Sequence, residues 1–339
     1  MKNNGRCYIV AEIGGNFTDY ETAVRLIDDA KECRVDAVKL QTYRAETLVD
    51  GTAVFDMENI SGVLQKDYFK QYEISEELHE KVYAYAREKG LEIFSTPAHG
   101  TDLKLLEKLG TDIYKIGADD AVNLPLLKKV AATGKPLMLS TGMCTLDEVK
   151  QSVNAVLETG NTNLIIMHTV SLYPTKEEFV NLNVIKTLQR EFPDFTIGYS
   201  DHTLGVEACI YAAVMGAKVI EKHFTYDKCA EGPDHMHSAD KNDMKRLTDA
   251  VRQYESMCGN GIKAPVDDEV KNRKNNRKSV ITVCDIKKGA VFSENNLDIK
   301  RPGIGIEPQF YDKILGKRAA RDLKKDTIIS WSDICYGQE

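Results

Sequence analysis

Between residues 7 and 257 short apolar runs alternate with longer amphipathic segments, and the pair recurs eight times. The apolar runs are Cys7–Ile13, Asp36–Thr42, Glu92–Thr96, Asp112–Gly117, Pro136–Thr141, Asn163–Thr169, Phe195–Ser200 and Lys218–Phe224. Segments with helical spacing follow them at Tyr20–Cys33, Ser75–Lys89, Thr101–Leu109, Leu124–Ala132, Leu146–Glu158, Val184–Phe192, Gly205–Met215 and Asn242–Met257. Strands that alternate with helices must pair in parallel, because each crossover returns the chain to the same end of the sheet. Eight such units in roughly 250 residues predict a closed (β/α)8 TIM barrel; an open doubly wound sheet is the structural competitor.

The chain has 339 residues, so a barrel leaves about 90 for something else. Residues 259–277 are rich in glycine, lysine, asparagine and acidic groups and read as a linker. Ser279–Cys284, Leu297–Lys300, the glycine-rich Pro302–Gly305 and Thr327–Trp331 then suggest a small β-rich module. The expected layout is a barrel over 1–258, a linker over 259–277 and the module over 278–339. The longest break inside the repeat, Tyr43–Ile74, is either an active-site loop or a partly disordered excursion.

Composition removes several function classes. With 42% hydrophobic and 29% charged residues the chain supports a real core, which argues against disorder. A net charge of −7 gives no support to general nucleic-acid binding. No apolar stretch is long enough for a membrane span, and the first segment lacks the pattern of a signal peptide. The eight cysteines are scattered without a CxxC pair, as expected of reduced, structural cysteines in a cytoplasmic protein.

Barrel active sites form at the C-terminal ends of the strands. Glu12, Lys39, Gln41, Thr96, Lys115, Ser140, His168, Ser171, Tyr173, Ser200, His202 and His223 all fall there. His202 follows the seventh strand and His223 ends the eighth, so the two can aim their imidazoles at one divalent transition ion, or can simply be hydrogen-bonded histidines. His235 and His237 form another possible pair in a polar loop open to solvation. Lys39 and Lys115 can hold a carboxylate or phosphate, form a Schiff base, or close an ion pair at the rim. Thr96, Ser140 and Ser200 offer hydroxyls around an anion, although each residue type is also common in caps and turns. Glu12 is placed for acid–base work or for a structural pair with a lysine. Gly14 and Gly15 permit a tight approach but make no dinucleotide fingerprint. Asp234 can bind hydroxyls or cap the segment after it, and Tyr173 can line a pocket or pack.

Taken in order, Glu12-Ile-Gly-Gly-Asn16, Val38-Lys-Leu-Gln41, Ser95-Thr-Pro97, Tyr114-Lys-Ile-Gly117, Ser140-Thr-Gly-Met143, Met167-His168 and Tyr173-Pro174 form a series along the barrel. Gly198-Tyr-Ser-Asp-His-Thr203, Glu221-Lys-His-Phe-Thr225, Gly232-Pro-Asp-His235 and Lys300-Arg-Pro-Gly-Ile-Gly-Ile306 complete it. This series resembles the sialic acid synthase family, also called the N-acetylneuraminate or nonulosonic acid synthases, over nearly the whole chain. The resemblance implies a (β/α)8 barrel joined to a small antifreeze-like (SAF) domain. It also implies a condensation of phosphoenolpyruvate with an open-chain N-acetylmannosamine-like or diacetamido-trideoxyhexose acceptor. The product would be a nine-carbon sugar acid, with phosphate released.

By the same resemblance His202 and His223 match metal ligands, with Mn2+ favoured over Mg2+ or Co2+, and Glu12 matches a carboxylate that organises water and moves a proton. Lys39 and Lys115 match the groups that hold phosphoenolpyruvate, with Thr96, Ser140 and Ser200 as companions. Gln41, Tyr173 and Asp234 match the acceptor side, and Asp120 and Ser171 stand where longer acceptor contacts are common. Arg301 matches an arginine that reaches the neighbouring subunit's site, which implies a domain-swapped homodimer. Phe17, Asp19 and Ala118 depart from the family pattern and point to altered acceptor fit. Two competitors are another phosphoenolpyruvate-condensing synthase and a weakly catalytic carbohydrate-binding homologue.

Overall fold

The computed structural model describes residues 5–57 and 60–336, so the outermost residues expected in the barrel and the module, and two in the Tyr43–Ile74 excursion, lie outside the described residues. The chain divides into two compact units at Gly259–Asn260.

In the first unit the strands are β1 (Tyr8–Glu12), β2 (Ala37–Thr42), β3 (Val54–Met57), β4 (Ile60–Leu64), β5 (Glu92–Pro97), β6 (Tyr114–Ile116), β7 (Leu137–Ser140), β8 (Leu164–His168), β9 (Thr196–Asp201) and β10 (Val219–His223). Eight of them close a parallel barrel in the order β1-β10-β9-β8-β7-β6-β5-β2. The open doubly wound alternative is thereby excluded.

Barrel strands are buried on both faces, and side chains alternate between the interior and the helical jacket. Tyr8, Val10, Ala37, Phe94, Ile113, Met138, Ile165, Met167 and Val219 fill the interior as one apolar cluster. Their strand neighbours, including Ile9, Val38, Ile93, Leu139, Ile166 and Ile220, join the larger core. The parity has a consequence for chemistry. Two residues beyond Val10, Ala37, Phe94, Ile113, Met138 and Val219 stand Glu12, Lys39, Thr96, Lys115, Ser140 and Glu221. Gly198, which pairs with both Met167 and Val219, puts Ser200 in the same layer. The floor of the barrel is therefore apolar and the next layer toward the C-terminal face is polar.

The helices begin where side chains satisfy free amides. Asp19, Ser75 and Asn123 accept from the first turns of their helices, and Thr145 and Asp240 form capping boxes. Asp19 thus has a local structural role, and Phe17 belongs to the main core at 4% exposure.

The Tyr43–Ile74 excursion carries its own structure: a helical turn at Ala45–Leu48, the antiparallel pair β3–β4 and a helix over Gln65–Tyr72. Glu73 ties its two ends, accepting from Arg44 Nη1 at 2.9 Å and from the Ala45 amide at 3.0 Å. Tyr43, Phe55, Tyr68, Phe69 and Tyr72 pack as a chain of edge-on and tilted rings.

On the outer side of β9 and β10, Lys222 donates to Asp201 at 2.8 Å, and neither side chain is exposed. Asp201 also accepts from the Tyr199 hydroxyl at 2.7 Å and the Thr203 amide at 3.1 Å. Lys222→Met would leave a buried carboxylate without its cation, so we expect a stability loss of about 3–5 kcal/mol. Urea unfolding measures it, and an unchanged midpoint with an unchanged slope would show the pair to be dispensable.

The second unit has its own core, built from Val280, Ile286, Phe292, Leu297, Ile306, Ile314, Ala319, Leu323, Ile329 and Ile334. Its strands are β11 (Ser279–Thr282), β12 (Leu297–Lys300), β13 (Arg318–Ala319) and β14 (Ile334–Cys335), in antiparallel pairs β11–β12 and β13–β14. Thr327–Trp331, read as part of the β-rich module, joins it through Ile329, whose amide donates to the Val280 carbonyl and whose carbonyl accepts from the Ile306 amide. A Cβ on Gly305 would stand 2.6 Å from the Ile329 carbonyl oxygen, so this turn admits only glycine. The stretch read as a linker contains a helix, Asp267–Asn276, with no buried residue. Acidic groups in its first turn and basic groups in its last complement the helix dipole without any apolar face.

Candidate active site

The polar layer of the barrel is a chain of alternating charges. The Lys39 ammonium pairs with Glu12, donates to Thr96 Oγ1 at 3.2 Å and lies 3.6 Å from Glu221 Oε1. Lys115 donates to both oxygens of Glu221, at 3.0 and 2.9 Å. Ser200 Oγ donates to Glu221 Oε1 at 3.3 Å. The order Glu12–Lys39–Glu221–Lys115 spans β1, β2, β10 and β6, and every member is buried. Two carboxylates against two ammonium groups balance in charge, which is what permits burial.

Their proton affinities follow from this arrangement. Burial raises Glu12 above the usual carboxylate range against the pull of Lys39 and His223. Burial also opposes ionisation of Glu221, but Lys115 and Lys39 outweigh it and hold the carboxyl down to about 2. Burial depresses Lys115 despite Glu221, whereas the carboxylates of Glu12 and Glu221 overcome burial and raise Lys39. One carboxyl is thus suited to carry a proton and the other to stay ionised.

Gly14 makes room for Glu12. Its amide donates to Glu12 Oε1 at 2.6 Å, and a Cβ there would collide with that carboxylate and stand 2.6 Å from the Gln41 amide nitrogen. The hydroxyls of Ser140, Thr169 and Ser171 are buried and make no hydrogen bond. They are donors free to receive an anion or sugar oxygen.

Beside this chain stands a cluster of imidazoles. Glu12 and His223 are register partners across β1 and β10. Tyr173 lies against His202 with ring centroids 4.1 Å apart, and the His202 and His223 rings are 5.5 Å apart. His202 Nδ1 contacts the Val170 carbonyl at 2.7 Å. A carbonyl only accepts, so Nδ1 carries the proton and Nε2 keeps its lone pair, as a metal ligand requires. Burial, reinforced by His223, lowers His202 to about 4, so the ring is neutral near pH 7.

Asp234 lies 3.3 Å from His223 Nδ1 and accepts from Gln41 Nε2 at 3.4 Å. Burial works against its charge, but His223, His237 and His202 together outweigh burial and the carboxyl is held at about 2. Burial lowers the proton affinity of His223, but Asp234 and Glu12 together overcome it and raise that ring's proton affinity. His237 is buried rather than solvated, with its ring 5.0 Å from that of His223. His235 is buried too, but it is bonded through Nδ1 to Thr225 at 2.6 Å. The donor set of imidazoles and one ionised carboxylate, with ring nitrogens that lack hydrogen bonds, fits a divalent transition ion.

The structure therefore brings together Glu12, Lys39, Thr96, Lys115, Ser200 and Gln41 with Tyr173, His202, His223 and Asp234. Ser140 and Ser171 open as unbonded hydroxyls near the same strand ends. Asp120 is half-buried and accepts from the Asn123 amide at 2.8 Å, which makes it part of a turn before the next helix. His168 has the opposite strand parity to Met167 and bonds Val180 O at 2.7 Å on the jacket side. Arg301 is an exposed residue of the second unit, next to the end of β12. Sequence reasoning did not select Glu221. The signal was its position two residues before His223, which puts both side chains on the same strand face.

Residues 26–263 match the family described as NeuB, and residues 277–334 match the SAF domain. The chain is 39% identical to the N,N'-diacetyllegionaminic acid synthase of Legionella pneumophila over 97% of this chain and 94% of that one. It is 36% identical to the N,N'-diacetyllegionaminic acid synthase of Campylobacter jejuni, covering 95% of this chain and 98% of the relative. Its fold is similar to the crystal structure of the N-acetylneuraminic acid (sialic acid) synthetase of Leptospira borgpetersenii, with a TM-score of 0.71 and 30% identity over 79% of this chain and 90% of that chain.

Proposed function

The chain belongs to the NeuB family, and from that membership we propose that it condenses phosphoenolpyruvate with an amino-sugar aldehyde to give a nonulosonic acid. The observation that carries this reading is the buried Glu12–Lys39–Glu221–Lys115 chain directly beside the His223–Asp234 pair. It sets cationic donors for a small polyanion next to groups suited to a polyhydroxylated aldehyde.

In the proposed reaction C3 of the enol ester attacks the aldehyde carbon, the hydroxyl of water adds at C2, and the proton that the water releases balances the one that the former aldehyde oxygen takes up. The tetrahedral adduct loses phosphate, and the C2 hydroxyl loses its proton to leave the ketone. Lys39 and Lys115 hold the carboxylate and phosphate, with Thr96, Ser140 and Ser200 as further donors. Glu12, oriented by the Gly14 amide, positions the water and moves its proton. Gln41, Tyr173 and Asp234 hold the acceptor, with Ser171 and Asp120 at its edge. His202 and His223 would hold a divalent ion, with Mn2+ favoured, and the ion would polarise the aldehyde oxygen. We further propose a cytoplasmic, domain-swapped homodimer in which Arg301 reaches the acceptor in the partner's site.

The names of the two curated relatives favour a diacetamido-trideoxyhexose acceptor, while that of the structural relative keeps N-acetylmannosamine in view. Incubation with phosphoenolpyruvate, Mn2+ and a panel of free and phosphorylated sugars tests the proposal. Acceptor-dependent phosphate release with a nine-carbon acid detected by mass is expected. Phosphate release that ignores the acceptor, or none across the panel, would sink it.

A further inference from the structure

We infer that His237 and Asp234 join His223 as direct ligands of a divalent transition ion, so that the cation site extends beyond the His202–His223 pair. The three residues present one donor atom each within 4.8 Å of one another. His223 Nδ1 lies 3.3 Å from Asp234 Oδ2, and His237 Nε2 lies 3.7 Å from Asp234 Oδ1. Ligands about 2.1 Å from one ion stand roughly 3.0–3.5 Å apart in octahedral or tetrahedral order. Both separations are near that range, and rotation of a single carboxylate adjusts them.

The unbonded atoms point the same way. His223 Nδ1 and His237 Nε2 are buried and make no hydrogen bond. Both rings are almost wholly enclosed, at 6% and 2% exposure. Such ring nitrogens are costly unless a partner satisfies them, and the group nearest both is the Asp234 carboxylate. A cation between the three atoms satisfies all of them at once.

The ligand types select the ion. Two imidazoles and one carboxylate on one side of a metal leave the other positions open to water and substrate oxygens. This set favours Mn2+, Fe2+, Co2+ or Zn2+ over Mg2+, which prefers oxygen ligands and keeps its waters. His202, with Nε2 free and its ring 6.5 Å from that of His237, faces the same space from β9. His237 sits in a short 3-10 turn, His235–His237, held in place by Ser238 Oγ donating to the Asp234 carbonyl at 2.6 Å.

The inference deepens the synthase reading and takes from it only the expectation of a divalent ion. The test is Mn2+ binding to the full-length, chelator-stripped protein, followed by electron paramagnetic resonance of free Mn2+. Pulsed measurements of imidazole nitrogen couplings accompany it. Wild type should bind one ion with at least two couplings. His237→Ala and His237→Phe should each weaken binding by at least about tenfold and lose one coupling. Phe keeps the ring volume without a donor, and thermal unfolding in chelator checks that both variants are folded. Wild-type affinity and couplings in both folded variants would overturn the inference. Wild type that condenses its substrates without binding Mn2+ overturns it also, leaving the synthase reading intact. Three-residue Mn2+ binding without condensation on any acceptor would support the site and sink the synthase reading instead.

Discussion

Glu221→Gln is expected to lower kcat/KM for phosphoenolpyruvate by at least about 100-fold while the barrel remains folded. Glutamine keeps the shape but removes a full negative charge from between two buried ammonium groups. Lys115 donates to both oxygens of Glu221, and its proton affinity is already depressed by burial. Without that carboxylate the other carboxyl of the chain is Glu12, which is paired with Lys39. The lysine proton is then lost more readily, and a neutral amine cannot hold a phosphate or carboxylate by charge. The sign is definite: Glu221 raises the proton affinity of Lys115, so its removal moves the basic limb of the pH–rate profile to lower pH. Breaking one member of a buried pair costs about 3–5 kcal/mol, so some loss of thermal stability is expected alongside. The kinetic pH profile separates the two effects, since a purely structural role lowers stability without moving the limb. Unchanged kcat/KM and an unchanged limb would remove Glu221 from the site.

The strand–helix order was legible because a barrel strand must be apolar on both faces and a jacket helix on one. Glu12, Lys39, Lys115 and His223 were legible for a related reason: a charged group at the end of an apolar run has few places to go but the barrel mouth. Glu221 was obscured because it lies inside its run, next to Lys222 and His223, and only strand parity separates these three neighbours. Parity sends Glu221 and His223 inward and Lys222 outward to Asp201. His168 shows the converse, since a strand-end position placed it among the candidates and parity turned it toward the helices. His237 was read as open to solvent because its loop is polar and turn-rich. The loop folds back over β10, however, as the Ala239 amide bonds the His223 carbonyl at 2.8 Å. The helix Asp267–Asn276 carries no periodic apolar face to announce it, so its stretch reads as a linker. The Tyr43–Ile74 excursion is held by Glu73 and edge-on rings, contacts that local spacing does not encode.

His223→Ala should be the most damaging single change at the cation cluster, reducing turnover by at least about 1,000-fold, equivalent to about 4 kcal/mol of transition-state stabilisation. Its ring is common to every arrangement the site allows. It stands in register with Glu12, within 3.3 Å of Asp234 and ring to ring with His202 and His237. Losing it removes an imidazole ligand whether the ion is held mainly with His202 or with Asp234 and His237. It also removes the side chain that does most to keep Asp234 ionised, so the acceptor side should weaken with the cation side. KM for the acceptor should therefore rise as well as kcat fall, a split that a defect in chemistry alone does not produce. The ring lies at the open end of the barrel, above the apolar interior layer that carries the fold, so cooperative unfolding should persist. Added imidazole should restore part of the turnover if the missing ring is a ligand, because a free imidazole can occupy the space the alanine leaves. Turnover within tenfold of wild type under limiting Mn2+ would defeat this role for His223. A large loss with no rescue and a noncooperative melt would reassign the residue to the fold.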